Sequence, residues 1–407
     1  MSLNRPCCSA SLVGAALVLV AVPALRAQSG AVPVQNGKEN VYESARHNFR
    51  VVTVAEGFDH PWSMVWLPNG DMLVTERAGR LRIVRDGRLL PDPVAGVPRV
   101  RARGQGGLLD VLPHPDFATN RFIYLSFAKP NADDSEATTA VVRARLENDR
   151  LTDIEEIFVS EAWLSGNGHF AGRLAFDRAG FLYVAVGDRL VHPNLMADHP
   201  AQSLSNHQGK VLRLHDDGRV PSDNPFAGRA DALPEIWSYG HRNMQGLTLH
   251  PETGELWENE HGPRGGDEVN MVQRGRNYGW PVVSYGVNYN GTIYTRERQR
   301  AEIESPRWSW VPSIAPSGMM FYTGDRFPWW RGNLFVGGLV GEQLARLTLE
   351  GERVVGEETL LPGVLGRIRD VRQGPDGFIY LAIDDRRGER MTPVVRLEPA
   401  ESTVAVP

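Results

Sequence analysis

A histidine and an aspartate bracket one predicted hairpin in a way that suits acid–base chemistry. In NGHFAGRLAFDRAGFLYVAVGD, residues 167–188, His169 precedes one predicted strand and Asp188 follows the next. A β-hairpin returns its two ends to one edge, so the carboxylate would lie beside the imidazole. Such a carboxylate fixes the tautomer of the ring and raises its basicity, which makes a general base. A structural His–Asp pair would have the same spacing.

Two further polar clusters favour an anionic ligand. In WSYGHRNMQGLTLHP, Arg242, Asn243 and Gln245 lie together on a predicted loop. Planar polar groups of this kind suit a quinone or a polycarboxylate, because arginine binds carboxylate and carbonyl oxygens in a fork. In GRIRDVRQGPDG, Arg367 and Arg369 alternate on a predicted strand and therefore share one face. The alternatives are a capped turn for the first cluster and a solvated strand edge for the second.

A third cluster is rich in oxygen ligands. The stretch ENEHGPRGGDEVN, residues 258–270, contains the acids Glu258, Glu260, Asp267 and Glu268. Its glycines and proline exclude a helix, and the stretch is predicted to be an irregular loop. Carboxylates and backbone carbonyls are the ligands of Ca²⁺, although the EF-hand spacing is missing and a solvated acidic turn is the alternative. Three other histidines have no metal-like spacing to one another: His114, His241 and His250.

Composition describes a globular protein preceded by an export signal. The 407 residues are 42% hydrophobic and carry a formal charge of −5, which gives no reason to expect a nucleic-acid partner. Residues 1–27 combine Arg5 with a short apolar run and small residues, as in a secretory signal peptide; a membrane anchor is the alternative. We therefore predict a periplasmic or secreted protein with no membrane span in the mature chain. Cleavage would also remove both cysteines, so no disulfide is expected.

One pattern recurs six times along the chain. A turn with Gly, Asp or Asn precedes a short strand rich in aromatic and aliphatic residues. Further strands follow at residues 79–87, 209–218 and 392–399. The central residues of the six repeats are Leu73, Tyr124, Tyr183, Trp257, Phe335 and Tyr380.

The repeats predict an all-β protein, a six-bladed β-propeller of four-stranded antiparallel blades. We expect residues 28–407 to form this single domain, with long loops at 129–139, 189–208 and 284–306. A pair of β-sandwiches is the alternative. A propeller gathers loops from many blades around its central channel, and function must be argued from the site built there.

Taken together, the motifs resemble one family. GQGGLLDVLPHPDF, HFAGRL, GHRNMQG, EHGPRGGDEVN, NYGWP and RIRDV occur in the order and spacing of the soluble, pyrroloquinoline quinone (PQQ)-dependent aldose sugar dehydrogenases of the glucose/sorbosone dehydrogenase family. The resemblance extends from about residue 60 to residue 397. It implies a six-bladed propeller that uses PQQ and Ca²⁺ to oxidise an aldose at C1 to the lactone. Electrons would pass to an external acceptor.

The resemblance also implies roles for the residues around the reacting sugar. His169 matches the general base that takes the proton from the C1 hydroxyl, and Asp188 matches the carboxylate that orients it. Arg242 and Asn243 match groups that bind the quinone oxygens, with Arg242 stabilising the negative charge that develops there. Gln105 matches a residue beside both the base and the cofactor. Gln245, in the same loop as Arg242, is a further cofactor-binding candidate.

Metal ligands follow from the same resemblance. The backbone carbonyls of Gly262 and Pro263 match the ligands of the Ca²⁺ that also binds PQQ, and Asp267 lies close behind them. Glu268 and Tyr278 match a second, structural calcium site. Calcium beside the quinone would act as a Lewis acid.

Several positions depart from the family pattern. Arg367 and Arg369 match the pair that faces the PQQ carboxylates, but a lysine that contacts PQQ in a well-known member is replaced here by Val340 or its neighbour. His261, a cofactor-binding candidate, occupies the place of a glutamine, and Gly168 that of an acid. Loss of the lysine predicts weaker PQQ binding.

Insertions that build the sugar pocket and the dimer interface of that member also look short, which predicts an open cleft, broad aldose specificity and a monomer.

Two other functions remain open. A propeller lactone hydrolase would need carboxylate and amide ligands converging on the central channel, and a non-catalytic propeller would bind a glycan or a protein partner through an exposed apolar patch.

Overall fold

The computed structural model describes residues 33–34, 41–385, 388 and 391–400. The predicted signal peptide, residues 1–27, lies outside these residues, as do both cysteines. No helix in the described part of the chain is long and apolar enough to span a membrane.

Strands dominate the described chain, and consecutive strands pair antiparallel. Three strands come first: β1 (Pro33–Val34), β2 (Val41–Glu43) and β3 (Asn48–Asp59). Blade 1 contains β4 (Pro61–Trp66), β5 (Met72–Glu76), β6 (Arg80–Arg85) and β7 (Arg88–Leu89). Blade 2 contains β8 (Leu108–Pro113), β9 (Phe122–Pro130), β10 (Ala137–Glu147) and β11 (Arg150–Val159). Blade 3 contains β12 (Ala171–Phe176), β13 (Leu182–Val186), β14 (Lys210–Leu214) and β15 (Ile236–Tyr239).

The remaining blades continue the same order. Blade 4 contains β16 (Met244–Leu249), β17 (Leu256–Glu260), β18 (Asp267–Val272) and β19 (Trp308–Trp310). Blade 5 contains β20 (Pro316–Phe321), β21 (Leu334–Gly338), β22 (Gln343–Glu350) and β23 (Arg353–Leu360). The last three strands are β24 (Arg367–Gln373), β25 (Ile379–Asp385) and β26 (Met391–Pro399). Helices are short: α1 (Phe117–Asn120) and the 3₁₀ turns Pro193–Asp198, Pro200–Gln202 and Pro328–Trp330.

Blade 6 closes the ring by combining the two ends of the described chain. Strand β3 pairs with β26, so it forms the fourth strand of the sheet β24–β25–β26, and β2 and β1 extend its outer edge. The first strands of neighbouring blades contact one another in the order β4, β8, β12, β16, β20, β24 and back to β4. These strands therefore surround the central channel.

Hydrophobic side chains fill the interfaces between blades. Six clusters each join two neighbouring sheets, including the pair formed by blades 6 and 1. The central residue of each sequence repeat lies on the second strand of a blade and packs in a different one of these clusters. In ring order they are Leu73, Tyr124, Tyr183, Trp257, Phe335 and Tyr380. Each repeat thus supplies one residue that packs in an interface between two neighbouring blades.

The six-bladed propeller is confirmed, and the β-sandwich alternative is wrong. Three loop predictions need correction. Gln245, predicted on a loop, lies on β16. The segment 129–139 is mostly hairpin, because β9 and β10 extend into it and leave only residues 131–136 between them. In 258–270 only residues 261–266 form a loop, since Glu258 and Glu260 lie on β17 while Asp267 and Glu268 lie on β18. The glycines and the proline all lie within residues 261–266, so they exclude a helix there but do not exclude strands on either side.

One face of the ring collects the candidate residues. In every blade the beginning of the first strand pairs with the end of the second, as in Ala171 with Val186 and Met244 with Glu260. The segments that enter the first strands and those that follow the second strands therefore meet at the same end of the channel. His169 belongs to the former and Asp188 to the latter.

Candidate active site

Two adjacent cavities open on this face. The first, the arginine cavity, has a volume of about 240 Å³ and is lined by Arg77, Arg367 and Arg369 together with residues from strands and connecting segments around the ring. The second, the histidine cavity, has a volume of about 330 Å³ and is lined by His169, Asp188, Arg242 and others. Tyr289 lines both cavities. The two cavities therefore adjoin at Tyr289.

His169 and Asp188 form a buried pair at the floor of the histidine cavity. His169 Nδ1 lies 2.6 Å from Asp188 Oδ1. Asp188 Oδ1 also accepts the Leu190 N–H at 2.9 Å, and its Oδ2 accepts the Trp280 indole N–H at 2.7 Å. An ionised Asp188 accepts a hydrogen bond from His169 Nδ1–H, which leaves His169 Nε2 as the free base.

The hairpin leaves little room around this histidine. A Cβ at Gly187 would lie 2.2 Å from the His169 carbonyl oxygen, so only glycine permits the approach of the two strands. His169 itself has a φ of 50°, a region that residues with side chains rarely occupy. Such strain is typical of functional positions. The Gln105 side chain holds the same turn by accepting the His169 backbone N–H at 2.8 Å.

Electrostatics keep the imidazole neutral. Burial and the nearby Arg242 guanidinium lower the pKa of His169 below its usual value, although Asp188 acts in the opposite direction. Burial alone would raise the pKa of Asp188, but His169 and Arg242 outweigh it, so the pKa of this carboxyl is lowered. At neutral pH the pair is therefore an unprotonated base beside an ionised carboxylate.

Arg242 is fixed between the two cavities. Its Nη1 donates to the carbonyls of His261 at 2.9 Å and Gly262 at 2.7 Å. Its Nη2 lies 3.4 Å from the Tyr289 hydroxyl, and its guanidinium stacks over the Trp280 ring at 4.9 Å. The guanidinium charge is thus held in place before any ligand binds.

Gln245 and His261 line the arginine cavity, and Asn243 lies between them without lining it. Gln245 accepts Arg369 Nη1 at 3.2 Å and donates to Asn243 Oδ1 at 3.1 Å. Asn243 Nδ2 lies 3.5 Å from His261 Nδ1, and His261 Nε2 donates to the Pro316 carbonyl at 2.7 Å. Burial, together with His169, lowers the pKa of His261 to about 3, so this imidazole stays neutral. As a neutral polar group, His261 resembles the glutamine that the family resemblance leads one to expect at this position.

Positive charge exceeds negative charge in the arginine cavity. Asp384 accepts Arg369 Nη2 at 3.1 Å and lies 3.7 Å from Arg367 Nε and 3.0 Å from His60 Nδ1. Burial would raise the pKa of Asp384, but Arg369, His60 and Arg77 hold it well below its usual range. Arg77 has no ion-pair partner among the described residues, and its buried Nε lacks an acceptor. The sequence analysis did not identify Arg77, which follows the first repeat at the turn after β5.

The loop 261–266 borders the histidine cavity through Pro263. Asp267 shapes it from behind: Oδ1 accepts the Gly262 N–H at 2.8 Å and the Ser313 hydroxyl at 2.9 Å, and Oδ2 accepts the Ala315 N–H at 2.8 Å. The Gly262 carbonyl faces Arg242, and Pro263 lines the cavity. No described residue donates a hydrogen bond to the Pro263 carbonyl.

The residues expected at a second metal site lie behind this loop. The Tyr278 hydroxyl donates to the Met271 carbonyl at 2.6 Å and accepts the Gln273 N–H at 2.7 Å. This hydroxyl therefore stabilises the turn at the end of β18. Glu268 Oε2 lies 3.3 Å from Asn270 Nδ2. Burial and the neighbouring Glu260 raise the pKa of Glu268. The sequence reading missed what lies next to them, a buried group of His241, Glu258 and Glu260.

The departures from the family pattern have local explanations. A Cβ at Gly168 would lie 2.1 Å from Leu190 Cδ1, so an acid there would require Leu190 to move. Val340, at the position expected for a lysine, is 68% exposed and lines the arginine cavity. The long loop 189–208 is present between β13 and β14, and 284–306 lies between β18 and β19. Both loops border the histidine cavity.

Comparison with known proteins agrees with this architecture. Residues 58–395 match the family model described as Glucose / Sorbosone dehydrogenase. The aldose sugar dehydrogenase YliI of Escherichia coli is 44% identical over 344 residues, which cover 83% of this chain and 91% of the relative. A crystal structure of the apo-form of the soluble aldose sugar dehydrogenase from Escherichia coli is 42% identical, with a TM-score of 0.81, covering 86% of this chain and 100% of that one.

A more distant structure carries the cofactor. The PQQ-bound form of aldose sugar dehydrogenase from Streptomyces coelicolor is 27% identical, with a TM-score of 0.70, covering 91% of this chain and 100% of that one. Because the family model spans the six blades and the E. coli relative matches at 44% identity over most of both chains, the protein belongs to the glucose/sorbosone dehydrogenase family.

Proposed function

We propose that the protein oxidises an aldose at C1 to the lactone with PQQ and Ca²⁺, using His169 as general base, and passes the electrons to an external acceptor. We further propose that it works as a monomer in the periplasm or after secretion. The observation that carries the proposal is the buried His169–Asp188 pair, whose histidine cavity adjoins a cavity lined by three arginines.

The arginine cavity suits PQQ, a flat quinone with several carboxylates. Arg77, Arg367 and Arg369 would face its carboxylates, since only Asp384 among the described acids pairs with the latter two. The buried Nε atoms of Arg77, Arg242 and Arg369 have no acceptor. Arg242 and Asn243 would bind the quinone oxygens. PQQ in this place would supply the redox chemistry by accepting the hydride from the sugar.

The donor set beside Arg242 suits calcium. Backbone carbonyls are hard oxygen ligands, and the Pro263 carbonyl has no donor among the described residues. Gly262 and Pro263 would hold the Ca²⁺ next to the cofactor, with Asp267 fixing the loop. For a second calcium ion, Glu268 would contribute its carboxylate. Tyr278 would contribute its backbone carbonyl, because its hydroxyl is already used.

The residues of the chain divide the remaining work. His169 Nε2 takes the proton of the C1 hydroxyl, and Asp188 stabilises the imidazolium that results. Arg242 lies ready to stabilise negative charge at the boundary between the cavities, where its position is fixed in advance by two carbonyls. The histidine cavity is open towards the exposed residues Leu190 and Tyr289. Such an opening favours several aldoses over one.

The alternative of a lactone hydrolase has less support. Its metal would need unpaired carboxylates in the channel. The channel acids Asp110 and Asp370 instead pair with Arg173, which lies 2.9 Å from Asp370 Oδ1 and 3.5 Å from Asp110 Oδ1. A purely binding propeller would not need the ordered base, carboxylate and guanidinium.

Dye reduction by the purified protein tests the proposal. Chelator-treated protein receives PQQ, Ca²⁺ and a panel of aldoses, beside samples that lack one component. His169→Gln is the active-site variant, and His207→Gln is the control because His207 is equally buried but pairs with Glu235 elsewhere. We expect reduction that needs PQQ, calcium and His169 but not His207. PQQ binding without turnover of any aldose would indicate another alcohol substrate, and no PQQ binding would refute the proposal.

A further inference from the structure

A second chemically distinctive group lies beneath the active site. His241, Glu258 and Glu260 are 0%, 0% and 4% exposed, and none of them lines either cavity. His241 Nδ1 lies 3.7 Å from Glu258 Oε1 and 3.7 Å from Glu260 Oε1. One atom from each of the three side chains falls within 4.8 Å of the others. Because Glu258 and Glu260 alternate on β17, they point to the same side of the sheet.

Neighbouring residues also bind polar atoms of these three side chains. His241 Nε2 lies 2.8 Å from the Ser238 hydroxyl, and Glu258 Oε1 accepts Asn270 Nδ2 at 2.8 Å. Glu260 Oε2 accepts the backbone N–H groups of Arg242 and Asn243. Outer partners of this kind orient metal ligands and fix the tautomer of a histidine ligand.

Buried polar atoms in and beside this group lack hydrogen-bond partners in the described chain. Among the described residues, His241 Nδ1 and Glu258 Oε2 are buried and accept or donate no hydrogen bond, and neither does Asn270 Oδ1. No lysine or arginine lies within ion-pair distance of either glutamate in the described chain; their only such neighbour is His241. Buried carboxylates are normally paired or bound to a metal.

We propose that His241, Glu258 and Glu260 bind a divalent transition-metal ion of the zinc type. Two ligand atoms about 2.1 Å from a tetrahedral metal lie about 3.5 Å apart, close to the spacing of 3.7 Å seen here. An imidazole with two carboxylates suits zinc and its neighbours, whereas calcium takes oxygen ligands. The ion neutralises both carboxylates.

The site is separate in chemistry from the two calcium sites proposed above. It is connected to the proposed cofactor site, because Glu260 accepts the backbone N–H groups of Arg242 and Asn243. An ion on Glu260 therefore stiffens the segment that carries both residues. Its role is structural, since no ligand atom of the group reaches a cavity.

Metal analysis and diffraction test the site. Protein is grown with added zinc and then dialysed against excess CaCl₂, so that calcium sites stay filled. We expect about one zinc ion per chain by plasma mass spectrometry. Anomalous diffraction on the two sides of the zinc edge should place that ion between His241 and the glutamates. Absence of stoichiometric zinc, a zinc ion elsewhere, or calcium at this position would overturn the proposal.

Thermal unfolding provides a second readout in solution. Adding ZnCl₂ to chelator-treated, calcium-loaded protein should raise Tm by about 2 °C or more. Glu258→Gln, which keeps the side-chain shape, should remove this rise, and His207→Asn should keep it. A rise that persists in Glu258→Gln, or none in the wild type, counts against the site. Neither readout involves turnover, so failure here would leave the proposed sugar oxidation unaffected.

Discussion

Trp280 donates its indole N–H to Asp188 Oδ2 at 2.7 Å, while His169 binds the other oxygen of the same carboxylate. The same indole ring lies under the Arg242 guanidinium. One aromatic residue, on the loop between β18 and β19, therefore positions both the carboxylate behind the base and the cation opposite it.

Replacing Trp280 by Phe should lower kcat/KM and shift its pH profile. The indole N–H stabilises the Asp188 charge, and a hydrogen bond to a charged group contributes about 1.5–3 kcal/mol. Without it Asp188 becomes more basic and raises the pKa of His169. We expect a loss of about tenfold in kcat/KM and an acid limb moved to higher pH. An unchanged profile with a lower rate would mean that the indole acts only through packing.

The pH dependence of the wild type should reflect a depressed histidine. Burial lowers the pKa of His169 below 6.5, so the base stays unprotonated as the pH falls through 6.5 and is lost only at lower pH. The acid limb of kcat/KM should therefore lie below pH 6.5. A limb above 6.5 in stopped-flow dye reduction would contradict this reading.

Asp188→Asn should move that limb further down. Asp188 raises the pKa of His169, so its removal lowers the pKa again and also releases the ring tautomer. We expect a rate about 10²–10⁴-fold slower. PQQ binding should stay near wild type, because Asp188 lies outside the arginine cavity. Weak PQQ binding by the variant would show instead that the loop had collapsed.

Arg77→Gln should weaken PQQ binding. Arg77 faces the arginine cavity without an ion-pair partner among the described residues, so it offers a free charge to a cofactor carboxylate. We expect the Kd for PQQ, measured by absorbance titration in calcium, to rise about tenfold and to become less dependent on salt. Arg88→Gln, at the exposed end of blade 1, is the matched control. Equal affinities of Arg77→Gln and wild type would refute this role.

Val340→Lys should strengthen PQQ binding. Val340 is 68% exposed at the rim of the arginine cavity, where the side chain has room to reach inwards. A lysine there would add the cation that the family resemblance leads one to expect. We expect a Kd lowered about three- to tenfold. Glu342→Lys is the control, because Glu342 is on the same turn but does not line the cavity. If it lowers the Kd equally, the effect of Val340→Lys comes from the added positive charge and not from contact with PQQ.

The sequence was a good guide wherever one blade contains the whole relationship. The six aromatic and aliphatic centres predict the ring because each fills one interblade interface. The nearness of His169 and Asp188 follows from a single hairpin.

Relationships between blades were beyond the same reasoning. Trp280 is 92 residues from Asp188, and nothing in NYGWP indicates which carboxylate its indole N–H meets. Arg77 looks like an ordinary turn residue until the channel brings it opposite Arg369. His241 has no metal-like spacing to other histidines, and its neighbours in space are two glutamates on β17, which follows it in the chain.

The pairing of β3 with β26 has a consequence for how the protein is made. Residues 48–59 are synthesised before every blade, yet their partner strand at 391–399 is synthesised only after blade 5 and after β24 and β25. The strands of blades 1 to 5 are consecutive in the chain, but the sixth sheet is complete only once β26 has been made. A chain that stops before β26 would therefore form an open ring, in which β25 and β3 each lack the partner strand that β26 provides.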